Sequence, residues 1–249
     1  MKAKLRFTTL FPNAAKEKIE DVRTTTSTLD ACLVKGNSKY AAVSWTSSGG
    51  GALALLDLHK PGRLPYTFPM IRGHNGVIMD FDFYPFNENV IITGSEDATL
   101  RLWNIPETIT EDITEPIAKL AGHSKKVNFV QFHPSAESIV ASAGFEGAVR
   151  VWNIETQSSV LSIKGAPESF TSLEWNHNGS QILTACRDKN IRIGDPRANA
   201  WVHEWRGHEG PKTQKAAWLG NSNYIVTVGF AKNYTREMFL WDVTNLKEP

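Results

Sequence analysis

The chain has 249 residues, with 27 Lys+Arg against 26 Asp+Glu, a formal net charge of +1 and 41% hydrophobic residues. That is enough apolar material for a sizeable core and argues against disorder. The near-neutral balance argues against duplex nucleic acid or anionic lipid as the main ligand, because both are held largely by an excess of Lys and Arg on one face, and it leaves room only for local patches.

The N-terminal run Met1-Lys2-Ala3-Lys4-Leu5-Arg6-Phe7 is basic, but polar residues interrupt it too early for a signal h-region. No stretch approaches the roughly 20 apolar residues of a membrane span. A polar segment follows that holds Glu20-Asp21-Val22-Arg23. The first β-rich unit is Tyr40-Ala41-Ala42-Val43-Ser44-Trp45, a turn through Ser47-Ser48-Gly49-Gly50-Gly51, and Ala52-Leu53-Ala54-Leu55-Leu56-Asp57-Leu58. Its glycines lack the Lys-Ser/Thr ending of a phosphate loop and lead into a strand, so they read as a hairpin turn. The two cysteines, Cys32 and Cys186, sit in no CxxC spacing, which gives neither a disulfide framework nor a thiolate zinc site and fits a reducing compartment.

The remaining units carry two marks. Gly73-His74, Gly122-His123, the degenerate Gly165-Ala166 and Gly207-His208 are spaced 49, 43 and 42 residues apart. Leu102-Trp103-Asn104, Val151-Trp152-Asn153, Ile193-Gly194-Asp195 and Leu240-Trp241-Asp242 follow them at offsets of 30, 30, 29 and 34. Between the marks each copy reads as two strand-like runs around a tight turn, as from Val90 to Trp103; the last carries an insertion, Ala231-Lys232-Asn233-Tyr234-Thr235-Arg236. A period of about 40–45 with Gly-His and Trp-Asp marks is the signature of an all-β WD-repeat propeller. Its four-stranded blades stack around an axis because one small twisted sheet cannot bury both faces alone. Five units are expected in a single domain, with boundaries near 24–70, 71–118, 119–161, 162–203 and 204–249.

The marks predict a buried staple in each blade, in which His bonds a strand hydroxyl and a turn carboxylate while Trp packs beyond. The sets are His74, Thr93, Asp97 and Trp103, then His123, Ser142, Glu146 and Trp152. A further set contains His208 and Trp241. The unit with Thr184 and Asp188 has Ala166 for His and Gly194 for Trp, so its staple is expected to be lost. These assignments take three of the seven histidines and leave no catalytic set; His203 and His208 lack metal-site spacing, and neither HExxH nor GxSxG occurs. The sequence therefore reads as a non-enzyme with no cofactor and no metal. Trp103, Trp152 and Trp241 read as core; Trp201, Trp205 and Trp218 are less constrained.

By themselves the marks imply only a scaffold for some protein partner. The segments between them are more specific: Gly49-Gly50-Gly51-Ala52-Leu53, Leu58-His59-Lys60-Pro61-Gly62-Arg63, Gly94-Ser95-Glu96-Asp97, Thr114-Glu115-Pro116, Gly122-His123-Ser124-Lys125-Lys126-Val127, Trp175-Asn176-His177-Asn178-Gly179-Ser180, Asp195-Pro196-Arg197 and His208-Glu209-Gly210. In this order, over almost the whole chain, they resemble the coronins.

The resemblance implies a cytoplasmic, cytoskeletal actin-filament-binding protein that regulates actin dynamics. It also implies a seven-bladed propeller followed by a linker and a self-associating coiled coil, and the branched-actin nucleating complex as a further partner. By that measure the chain stops inside its fifth unit and is expected to be a fragment. The run Leu5-Arg6-Phe7-Thr8-Thr9 would complete a last blade. The resemblance further implies that Arg23, in an acidic-apolar-Arg run, contacts the filament, a task that suits its rigid five-donor fork. The loop cations Lys60 and Arg63 are the next candidates.

Overall fold

The computed structural model describes residues 15–246, apart from positions 28, 46, 48 and 49. The run 5–9 lies outside the described residues, and the turn at 47–51 lies partly outside them.

The described residues form strands and turns without a helix. In chain order the first strands are β1 (Ile19–Glu20), β2 (Val34–Gly36), β3 (Tyr40–Trp45), β4 (Gly51–Asp57), β5 (Gly62–Arg63) and β6 (Met70–His74). β2, β3, β4 and β6 make an antiparallel four-stranded sheet, while β1 and β5 pair in parallel beside it. Three further four-stranded antiparallel sheets follow. The second is β7 (Ile78–Phe83), β8 (Val90–Ser95), β9 (Thr99–Asn104) and β10 (Ala118–Ala121). The third is β11 (Val127–Phe132), β12 (Ile139–Gly144), β13 (Val149–Asn153) and β14 (Ser158–Ile163). The fourth is β15 (Phe170–Trp175), β16 (Ile182–Cys186), β17 (Asn190–Asp195) and β18 (Ala200–Arg206). A fifth sheet has three strands among the described residues, β19 (Lys215–Trp218), β20 (Tyr224–Phe230) and β21 (Arg236–Asp242). The all-β propeller expectation holds, with five blade sheets described.

Each four-stranded sheet closes a few residues beyond the boundary expected from the marks. The reason is that Gly73-His74, Gly122-His123 and Gly207-His208 end or follow the outermost strand of one sheet while their imidazoles serve the next. The repeat therefore straddles two blades and stitches them together.

Blade faces pack on each other through apolar clusters. Tyr40, Ala42, Leu53, Leu55 and Ile71 of the first sheet meet Phe81, Ile91 and Trp103 of the second, and equivalent layers join the later sheets. Burying such layers at about 25 cal/mol per Å² is the main stabilising term. The innermost strands β7, β11, β15 and β19 are also coupled directly, because polar side chains on one accept backbone N–H groups of the next. Asp80 Oδ2 takes Val130 N–H and Asp82 Oδ2 takes Phe132 N–H, both at 2.9 Å; Gln131 Oε1 takes Trp175 N–H at 2.8 Å, Ser172 Oγ takes Ala216 N–H at 3.1 Å and Glu174 Oε2 takes Trp218 N–H at 2.8 Å. Unpaired buried N–H groups would be costly there, so these acceptors fix each blade against its neighbour.

Candidate functional site

The staples form as expected in two blades. His74 Nε2 lies 2.7 Å from Thr93 Oγ1 and Nδ1 lies 2.9 Å from Asp97 Oδ2, and Trp103 Nε1–H donates to the same Thr93 oxygen at 2.8 Å. A neutral ring satisfies all three groups when Nδ1–H donates to Asp97 and Nε2 accepts from Thr93. Burial holds the imidazole below its ordinary value, outweighing Asp97. Burial raises the Asp97 carboxyl, but donors from His74, Thr99 and Asn75 outweigh it and keep it well below the usual carboxylate range. In the next blade His123 meets Ser142 at 2.6 Å and Glu146 at 2.5 Å, with Trp152 Nε1–H on Ser142 at 2.8 Å. The glycine of each mark lets the Trp ring in: a Cβ on Gly73 or Gly122 would sit 2.9 or 3.0 Å from Cη2 of Trp103 or Trp152.

The fourth sheet lacks this device, as the sequence predicted. Thr184 Oγ1 is buried without a hydrogen-bond partner, and a Cβ on Gly165 would meet nothing within 4 Å because no Trp ring arrives. Asp188, freed from a histidine, turns to the buried Arg192, which also reaches Glu204 at 2.7 Å. In the fifth sheet His208 bonds Thr227 at 3.0 Å, Trp241 Nε1–H donates to Thr227 at 2.8 Å, and the carboxylate is Glu237 on β21 at 3.4 Å. Sequence reasoning missed Thr227 and Glu237 because the inserted turn displaces the acid; the constant 19-residue step from His to hydroxyl was the available signal for Thr227.

Around the axis the polar inner-strand residues border a cavity of about 370 Å³ that also takes in Lys35 and Lys215. Lys35 pairs with Asp80 at 2.8 Å. Burial raises the carboxyls of Asp80 and Glu174 and pushes Asp82 up to about 6, while Asp80 and Asp82 more than offset the burial that would lower Lys35. Sequence reasoning missed this set too, although the alternation in Ile78-Met79-Asp80-Phe81-Asp82-Phe83 places both carboxyls on one side of a strand.

Arg23, Lys60 and Arg63 lie beside the first sheet, and two of them come together. β1 and β5 form because Gly62 N–H bonds Lys18 O and Leu64 N–H bonds Glu20 O, which draws the Asp21–Arg23 segment alongside Arg63. Ile19, Val22, Leu64 and Phe68 pack on Val43, Ala54 and Leu56, so this attachment has an apolar floor. Arg23 and Arg63 then border one cleft of about 200 Å³ with Asp21, Trp45 and Tyr66. Lys60 stands apart at a turn, paired with Asp57 at 3.1 Å.

The cations differ in what they have to offer a partner. Arg63 Nε is held by Asp21 at 2.5 Å and Arg72 Nε by Asp112 at 2.9 Å. Exposed Arg23 makes no ion pair among the described residues; its guanidinium lies over the Tyr66 ring at 5.1 Å from the centroid. Cation–π stacking covers its face and leaves the edge donors open to a carboxylate.

Two family models match the chain. One, described as a domain of unknown function (DUF1899), covers residues 2–63, and one described as eukaryotic translation initiation factor eIF2A covers residues 71–208. Among curated relatives, the Coronin-like protein of Saccharomyces cerevisiae is 35% identical over 251 residues, 96% of this chain and 38% of its own length. Coronin-A of Dictyostelium discoideum is 44% identical over 228 residues, 91% of this chain and 51% of its own. The chain thus spans about half the length of these relatives or less. The WD40 domain of Toxoplasma gondii coronin superimposes with a TM-score of 0.90 at 35% identity, over 95% of this chain and 62% of that one.

Proposed function

We propose a function from one premise: the chain belongs to the coronin family, its residues 71–208 belonging also to the domain family described as eukaryotic translation initiation factor eIF2A. The function is binding of actin filaments, by which the parent protein regulates actin dynamics in the cytoplasm. The stretch 71–208 runs from within β6 to His208, just past β18, and contains none of Arg23, Lys60 and Arg63, so the second membership covers blades and not the Arg23 site.

The observation that carries the reading is Arg23: exposed, without an ion pair among the described residues, and next to blade faces that are otherwise committed to packing. It acts by binding and not by catalysis. In the parent, the family pattern adds self-association through a coiled coil and the branched-actin nucleating complex as a further partner.

Filament co-sedimentation over a series of salt concentrations tests the proposal. Wild type pellets with filaments, Arg23→Ala binds more weakly and Arg23→Asp more weakly still, with the differences fading as salt screens the contact. Truncating one member of a desolvated interfacial charge pair costs about 2–5 kcal/mol, whereas stability changes by less than about 0.5 kcal/mol because the side chain is exposed. If Arg23→Asp binds like wild type the site is wrong, and if wild type fails to pellet at low salt the function is wrong.

A further inference from the structure

We propose that Tyr66 is a second contact residue, an aromatic anchor beside Arg23, and that together they recognise a carboxylate flanked by an apolar recess on the filament. This rests on the filament-binding reading of Arg23. Tyr66 is 83% exposed, more than the other large hydrophobic residues of the described chain. It is also held in place. Leu64 on one side and Phe68 on the other are packed into the first sheet, Phe68 meets Trp45 edge-on at 5.1 Å, and Pro65 and Pro69 restrict the backbone around them. The loop therefore half-buries Leu64 and Phe68 against the first sheet and presents the Tyr66 ring to solvent.

The ring and the guanidinium stacked on it border two clefts, one of about 200 Å³ towards Arg63 and one of about 580 Å³ towards Asp112. Arg23 and Tyr66 thus stand between two recesses, with the charge and the aromatic surface adjacent. A rigid Tyr costs little conformational entropy on binding, and Tyr and Arg are both enriched among the residues that carry most of an interface's energy. An acidic group alone would satisfy Arg23 and leave the ring in water. A carboxylate beside an apolar recess satisfies both.

The test compares Arg23→Ala, Tyr66→Ala, Tyr66→Phe and the Arg23→Ala/Tyr66→Ala double variant in filament co-sedimentation at low and high salt, with melting curves for each. Tyr66→Ala is expected to weaken binding about tenfold without changing the melt. Tyr66→Phe retains most of the affinity, the double variant is weaker than either single one, and the Tyr66→Ala loss persists at salt that erases the Arg23→Ala loss. Wild-type affinity for Tyr66→Ala alongside weak binding by Arg23→Ala overturns the anchor and leaves the Arg23 reading standing. A double variant no weaker than Arg23→Ala also overturns it, since Tyr66 would then only position Arg23. If neither single substitution changes binding, the filament site itself is wrong.

Discussion

Asp21 gives its carboxylate to Arg63, 42 residues away in sequence at 2.5 Å, and not to Arg23 two positions along. Asp21 adopts a left-handed backbone conformation with φ of 64°, uncommon for a residue with a side chain, as the segment leaves β1 for the bridge that Thr24 makes with Trp45. The consequence is electrostatic. Arg63 neutralises the acid that stands nearest Arg23 in sequence, and Arg23 keeps its charge for a partner.

The first prediction follows from that division of labour. Arg63→Ala releases Asp21, whose carboxylate then competes for Arg23, so filament binding is expected to fall several-fold through Arg23. Asp21→Ala added to Arg63→Ala restores affinity towards wild type. Double-variant co-sedimentation decides the matter: failure of the second substitution to restore binding would mean that Arg63 touches the filament itself. Lys60→Ala is expected to bind like wild type, since Lys60 is paired with Asp57 and borders neither cleft.

The second prediction concerns the staple of the second sheet. Asp97→Ala leaves the His74 ring and the Asn75 and Thr99 donors without their acceptor, and destabilises the chain by about 1–3 kcal/mol. Thr93→Val strands both His74 Nε2 and Trp103 Nε1 and costs a similar amount, but the two losses are less than additive, because each already disrupts one network. Denaturant melts of the two single variants and the double variant measure this; full additivity would show that the groups act independently.

How much of this was legible in the sequence depended on whether a residue served a repeated task. His74, Thr93, Asp97 and Trp103 recur at the same steps as His123, Ser142, Glu146 and Trp152, because these two blades use the same closure, and their roles could be read from spacing. The loss at Gly165 and Gly194 was legible for the same reason, but not that Arg192 would take over the orphaned Asp188. Glu237 was hidden because it sits on the far side of an insertion. The Arg23 neighbourhood is unique in the chain, so no internal copy announced it. The resemblance supplied Arg23, but only the pairing of β1 with β5 could place Asp21, Arg63 and Tyr66 around it.

The last prediction is a pH dependence seated at the axis. Burial pushes Asp82 to about 6 from an ordinary value of 3.8, so between these limits the folded chain holds a proton that the unfolded chain releases. Stability therefore falls as pH rises through this window and stays lower above it, by at most about 3 kcal/mol at 1.36 kcal/mol per pKa unit. Lys35 opposes the shift and Asp80 adds to it. His74 works in the opposite sense: its imidazole is held below the ordinary value by burial, so it weakens folding as pH falls. Wild type alone would mix these effects, and the informative quantity is the difference between Asp82→Asn and wild type. Asparagine keeps an oxygen for Phe132 N–H and removes the charge. Asp82→Asn is expected to gain stability relative to wild type as pH rises from about 4.5 to 6.5, with the gap level above that. Melts across pH 4.5–7.5 that show a constant gap would mean that water reaches Asp82 and leaves its charge solvated, which the packing of β7 against β11 would then have to accommodate.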